Sequence, residues 1–262
     1  MPVEKPFTAG SLFSGVGGMD LGLQMAGWEI VWQCEKDRIC RSILKRHWPN
    51  VTLFQDITEQ NDYDSVTLIC GGDPCPCRSK AKGNRKSIHP DLSGYFLAVV
   101  GRCWPWWVVR ENVPASDDVD FITALEALGY GTVIIRANAV AVTGQNRDRY
   151  FIVGCLEKAW LRKFIELSVE QNNNRFDTAE YSPAEGCPCL TTHRCRYDAR
   201  DGYVWDGRLR IADKDERKTL AGLPHGWLDG LSETAVARVT GNAVVPGIVQ
   251  WLGERIKEAI CE

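Results

Sequence analysis

Between residues 7 and 155 the chain alternates short apolar runs with segments of helical spacing. That alternation leaves few options, because it is the pattern of parallel strands joined by crossover helices. Residues 7–13 predict a strand that ends in a glycine-rich turn, and residues 19–26 the helix after it. Residues 29–34 and 37–47 repeat the unit, with Pro49 stopping the helix. Short strands follow at 51–54 and 65–70, then a helix at 92–103 and a buried strand at 106–110. Residues 121–128 are helical, and 133–137 and 150–153 supply the last strands. Beyond Cys155 the pattern weakens. Residues 157–170 have helical spacing, 171–175 are a polar loop, and 182–207 are rich in turns. The expected organisation is a main α/β domain over 1–156, a small lobe over 157–208, and a segment 209–262 that returns to the main domain. In that last segment residues 215–222 and 247–260 read as helices.

A length of 262 residues suits one such domain with a small lobe. No apolar stretch is long enough to span a membrane, and the first ten residues carry no apolar run of signal-peptide length. The expectation is a soluble cytoplasmic monomer. Eleven cysteines, an odd and scattered set, argue against a disulfide scaffold and for free thiols in a reducing compartment. A net charge of −3 excludes a uniformly basic polyanion binder. The charge is uneven, however. Arg78, Lys80, Lys82, Arg85 and Lys86 fall in one acid-free stretch, directly after an unusual cysteine loop. A second basic group, Arg194 to Arg210, is diluted by Asp198, Asp201 and Asp206, and reads equally as a solvated loop.

Five constellations carry chemistry. Phe13-Ser14-Gly15-Val16-Gly17-Gly18 joins the first strand to the first helix. Glycines there let the backbone approach a ligand, and a helix N-terminus favours an anionic group. The spacing is not the dinucleotide G-x-G-x-x-G, which excludes a nicotinamide oxidoreductase. Glu35 ends the second strand, where an acid accepts hydrogen bonds from ribose hydroxyls, and Asp56 follows the third, where a carboxylate suits an adenine amino group. Together these point to an adenosine-containing ligand at the carboxyl edge of the sheet. Next, Gly71-Gly72-Asp73-Pro74-Cys75-Pro76-Cys77 sets a proline-flanked cysteine on a stiff exposed loop, with cations beyond it to favour the thiolate. Glu111-Asn112-Val113 puts a carboxyl at a strand end, where apolar surroundings would raise its pKa. Gln145, Arg147 and Arg149 lie at strand spacing and are expected on one face, able to bind a phosphate or a base oxygen. Gly241-Asn242 reads as a turn before Pro246 and the last helix. No metal site is expected, since the only other candidates, Cys187, Cys189, His193 and Cys195, are irregularly spaced.

In this order the pieces resemble the cytosine-5 DNA methyltransferase family, and look most like its compact bacterial and phage members. The resemblance spans nearly the whole chain except about 157–186. Residues 13–18 look like the methyl-donor loop, Pro74-Cys75 the catalytic Pro-Cys, and Glu111-Asn112-Val113 the Glu-Asn-Val. Gln145-x-Arg147-x-Arg149 and Gly241-Asn242 look like the two later motifs. The resemblance implies a mostly parallel, Rossmann-like sheet with a small target-recognition lobe, S-adenosylmethionine as cofactor and double-stranded DNA as partner. It implies Cys75, Glu111, Arg147 and Arg149 as catalytic residues, with Cys75 adding to ring carbon 6 of a flipped cytosine. Phe13, Gly15, Gly17, Gly18, Glu35, Asp56, Pro74 and Asn242 would hold the cofactor. Arg78, Lys80, Lys82, Arg85, Lys86 and Gln145 would contact DNA.

Two departures stand out. Pro76 and Cys77 follow the catalytic position where the family usually has glutamine first, and the recognition region is short, which predicts a short or weakly preferred target site. The nearest rival is the same chemistry on tRNA, but the loop Pro74 to Arg78 does not look like that branch. A non-catalytic adenosine-ligand or DNA-binding module explains Glu35 and Asp56 but not Cys75, Glu111 and Arg149 together.

Overall fold

The computed structural model describes residues 7–59, 61–74, 91–113, 118–172, 187–188, 203–205 and 209–261. In chain order the main-domain elements are β1 (Thr8–Leu12), α1 (Gly18–Met25), β2 (Glu29–Cys34), α2 (Arg38–His47), β3 (Thr52–Phe54), β4 (Leu68–Gly71), α3 (Ser93–Cys103), β5 (Trp107–Asn112), α4 (Asp118–Ala127), β6 (Gly131–Asn138), α5 (Val140–Thr143), β7 (Gln145–Asn146) and β8 (Asp148–Cys155). There follow α6 (Lys158–Asn172), β9 (Cys187–Pro188), β10 (Tyr203–Trp205), β11 (Leu209–Ile211), α7 (Lys214–Leu220), α8 (Glu233–Asn242) and α9 (Pro246–Cys261).

Seven strands form one sheet in the order β3-β2-β1-β4-β5-β8-β6. All neighbours are parallel except around β8, which runs antiparallel to both β5 and β6. The expected mostly parallel α/β architecture is what the chain adopts. Central strands are buried on both sides, so they read as continuous apolar runs. Leu68, Cys70, Trp107, Val109, Phe151 and Val153 pack on one side against α1, α6 and α9. Ile69, Val108 and Ile152 pack on the other against Phe96, Val99 and Val100 of α3 and Phe121 and Leu125 of α4. A third cluster joins Ile43 and Leu44 of α2 to Leu223, Trp227, Val236 and Val239 of the C-terminal segment.

α9 packs closely on α1. A Cβ on Gly22 of α1 would drive into the carbonyl oxygen of Pro246 and lie 2.6 Å from Cβ of Val249. The two helices therefore touch backbone to backbone. Gly22→Ala is expected to lower the unfolding free energy by about 1–3 kcal/mol, the usual cost of overpacking, read from urea unfolding curves.

Two expectations change. α6, placed in the separate lobe by its sequence, has Leu161 and Phe164 inside the main core, with Phe164 edge-on to Trp107 at 5.7 Å. α6 therefore packs on the sheet. Gly241 and Asn242 are not a free turn but the end of α8, a helix capped by the Ser232 side chain. Among the described residues no helix is long and apolar enough to cross a membrane, and Cys34, Cys40, Cys70, Cys103, Cys155 and Cys261 are free thiols.

Candidate active site

In an open parallel sheet, ligands bind beyond the carboxyl ends of the strands where the strand order reverses. Here that point lies between β1 and β4. The turn after β1, Glu35 after β2, Asp56 after β3 and the loop after β4 all sit at that edge.

The turn after β1 is tightly wound. Phe13 (φ 53°), Gly15 (φ 57°) and Gly17 (φ 83°) all adopt left-handed backbone, and Gly17 caps α1. For Phe13 this conformation costs on the order of 1–3 kcal/mol and is held only because its surroundings fix it. Glu35 supplies part of that restraint. Its Oε2 accepts from the Gly15 N–H at 2.7 Å and its Oε1 from the Asp37 N–H at 2.6 Å. Burial raises its pKa. A carboxylate has about four acceptor sites, so Glu35 retains capacity toward a ligand. On the helix side, the Trp227 indole donates to the Val16 carbonyl at 2.9 Å and stacks on His47 at 3.5 Å. This brace from the C-terminal segment was not legible as a site residue.

Beneath the turn, Asp20 is fully buried and accepts from Gln33 Nε2 at 2.8 Å and Ser11 Oγ at 3.1 Å. Burial pushes its pKa from 3.8 to about 6. The folded state therefore favours the protonated acid. Its contribution to stability is full below about pH 4 and is lost as pH rises through about 6. The loss is on the order of 3 kcal/mol. Asp20→Asn removes the charge, its Oδ1 still able to accept from Gln33 while its amide nitrogen donates to Ser11 Oγ. Urea unfolding between pH 4 and 7 is expected to lose that slope in the variant.

Asp56 is partly exposed and already engaged. Its Oδ1 accepts from Thr58 N–H at 3.0 Å, and its Oδ2 pairs with Lys36 Nζ at 2.6 Å. The Lys36 ammonium lowers its pKa. A ligand amino group at this carboxylate would have to compete with that lysine.

Two catalytic candidates come together across the antiparallel β5–β8 pair. Glu111 Oε1 lies 2.9 Å from Arg149 Nε. Glu111 lies at the carboxyl end of β5, as expected, but it is paired with an arginine rather than set among apolar groups alone. A Cβ on Gly72 would sit 2.9 Å from Glu111 Oε2. The carboxylate therefore lies against the backbone three residues before Cys75 in sequence. Pro74 is exposed. Cys75, Arg78, Lys80, Lys82, Arg85 and Lys86 lie outside the described residues.

The remaining candidates run to the C-terminal segment. Arg147 is buried and donates from a guanidinium nitrogen to the Gly241 carbonyl at 3.0 Å, so the two later motifs meet across 94 residues of sequence. Gln145 is buried, and its amide donates to the Leu220 carbonyl at 2.6 Å. Strand parity had placed it with Arg147 and Arg149, but the three reach Leu220, Gly241 and Glu111 respectively. Asn242 is exposed at the end of α8. Next to it, a Cβ on Gly18 would strike the Val244 carbonyl, which sets that backbone directly on the turn after β1.

Arg110 was missed altogether. An arginine inside a run that otherwise reads as a buried strand requires a counter-charge. Asp73 supplies it through two bonds, Nε to Oδ1 at 2.5 Å and Nη2 to Oδ2 at 2.9 Å. Asp118 lies 3.2 Å from Nη1.

Comparison with known proteins follows the same lines. The family profile described as C-5 cytosine-specific DNA methylase matches residues 7–193. The chain is 25% identical to the Type II methyltransferase M2.BsuMI of Bacillus subtilis (strain 168), across 95% of this chain and 75% of that protein. It is 28% identical to the Type II methyltransferase M.NgoPII of Neisseria gonorrhoeae, across 76% of this chain and 59% of that protein. A DNMT2 crystal structure from Spodoptera frugiperda superposes with a TM-score of 0.73 at 15% identity, over 95% of this chain and 99% of that one. A structure described as a putative DNA modification methyltransferase from an Escherichia coli prophage gives 0.68 at 16% identity, over 98% and 100%. At such identities the likeness is one of fold.

Proposed function

Because the chain belongs to the C-5 cytosine-specific DNA methylase family, we propose that it methylates carbon 5 of cytosine in duplex DNA with Cys75 as nucleophile. The observation that carries this assignment is the Glu111–Arg149 pair, set against Gly72 at the carboxyl edge where the Cys75 loop begins. Relatives named Type II methyltransferases support DNA as the substrate.

S-adenosylmethionine fits the residues present. The left-handed turn Phe13 to Gly17 opens the backbone at the N-terminus of α1, and Glu35 presents a carboxylate beside it toward ribose hydroxyls. Asp56, Pro74 and Asn242 complete the proposed set. When bound, the donor supplies a methyl group on a sulfonium sulfur.

Cytosine carbon 5 is a poor nucleophile, and the protein's work is to change that. The base is flipped from the duplex, since its ring is unreachable in the stack. The Cys75 thiolate bonds to ring carbon 6, while Glu111, acting as an acid, donates a hydrogen bond to ring nitrogen 3 and stabilises the negative charge developing there. The ring becomes an enamine, and its carbon 5 takes the methyl group. Loss of the carbon 5 proton then expels Cys75 as thiolate. Arg149, held by Glu111, faces the base oxygen, and the basic stretch Arg78 to Lys86 grips phosphates around the extruded nucleotide.

Bisulfite sequencing of DNA from cells expressing the chain tests the assignment, beside methyl transfer to purified duplex DNA and tRNA. Methylcytosine at a short recurring DNA site is the expected result. Unmethylated DNA with methylated tRNA would transfer the assignment to RNA.

A further inference from the structure

Arg110, Asp73 and Asp118 form a buried ionic cluster that no step of the proposed chemistry uses. Removing three charges from water does little for stability even when they pair well, so such a cluster calls for another account. Its connections suggest one. Asp73 lies two residues before Cys75, and Arg110 immediately precedes Glu111. The guanidinium fork takes both Asp73 oxygens, at 2.5 and 2.9 Å, which fixes orientation as well as distance. The third nitrogen reaches Asp118 at the start of α4, beyond the connection that follows Glu111-Asn112-Val113. The Phe121 ring closes one face, 4.2 Å from the guanidinium carbon. One side chain thus ties the root of the nucleophile loop and the start of α4 to the strand that carries Glu111.

We propose that Arg110 is a positioning residue for methyl transfer, which sets the start of the Cys75 loop against Glu111 through Asp73. This rests on the assignment of Cys75 and Glu111 above. The bidentate fork is the essential element. Lysine keeps the charge at position 110 but offers a single ammonium, and asparagine at 73 keeps the shape but not the charge-assisted pair.

The test uses the full chain, with Arg110→Lys and Asp73→Asn compared with wild type. Four quantities are measured: kcat on duplex DNA, KM for S-adenosylmethionine, donor affinity without DNA, and the thermal midpoint. Misplacement of the attacking group by about 1 Å costs roughly 100-fold in rate. A kcat loss of about 30- to 100-fold, with donor KM and affinity within about threefold of wild type, is expected in at least one folded variant. Folded variants with wild-type kcat overturn the proposal. So does a matching loss of kcat and donor affinity, which is the sign of general loosening, and so does failure of both variants to fold, which makes the cluster a stability element. A wild-type protein that leaves duplex cytosine unmethylated would instead reject the parent assignment, and the two failures are therefore distinct.

Discussion

Cys75→Ser is expected to abolish methyl transfer, with a loss of about 1,000-fold or more, while Cys77→Ser keeps most of the activity. A serine hydroxyl is far less nucleophilic than a thiolate near neutral pH, and without addition at carbon 6 carbon 5 never becomes electron-rich. Cys77 lies only two residues further on and is also followed by cations, so chemistry alone does not separate the two thiols. The family resemblance separates them, since Cys75 falls at the position of its Pro-Cys, directly after Gly72 and Asp73, which rest against Glu111 and Arg110. Steady-state methyl transfer to duplex DNA by both single variants is the check, and the opposite pattern would move the nucleophile to Cys77.

Glu111→Gln is expected to lower kcat by about 100- to 1,000-fold, the usual effect of removing one preorganised group aimed at a developing charge. Donor binding should change little, because Glu111 lies on β5, with β8 as its partner, whereas the turn proposed to hold the donor follows β1. The glutamine is isosteric, so Arg149 loses its ion pair but not its space. Single-turnover methyl transfer and donor titration separate the two effects. A strong loss of donor affinity would reject the role at ring nitrogen 3.

Much of the fold was legible because parallel strands are apolar throughout. Leu68 to Cys70 and Trp107 to Val109 have buried faces on both sides and could not be read as half-exposed strands. Glu29–Cys34 was bounded as the structure has it, since Asp37 caps the following helix by accepting from the Ile39 and Cys40 N–H groups. The site was harder to read, for reasons of distance. α8 escaped notice because Thr240, Gly241 and Asn242 are weak helix formers, and only Ser232 with Val236 and Val239 marked it. The partner of Glu111 was not legible, because Arg149 is 38 residues away in sequence. Arg110 read as the end of an apolar run for the same reason, Asp73 being 37 residues away. Periodicity places a residue on a face, but it does not say which neighbour that face meets. Gln145, for example, donates to the Leu220 carbonyl, 75 residues further on.

The central claim is a transient bond between the Cys75 sulfur and cytosine carbon 6, and duplex DNA carrying 5-fluorocytosine at the methylation site tests it most directly. Fluorine on carbon 5 leaves no proton to remove after methyl transfer, so the thiolate cannot be expelled. Peptide mass mapping of the denatured mixture, with S-adenosylmethionine present, should find methylated DNA attached to the peptide bearing Cys75. An enzyme that methylates ordinary DNA yet yields no adduct, or an adduct on Cys77, would contradict the account.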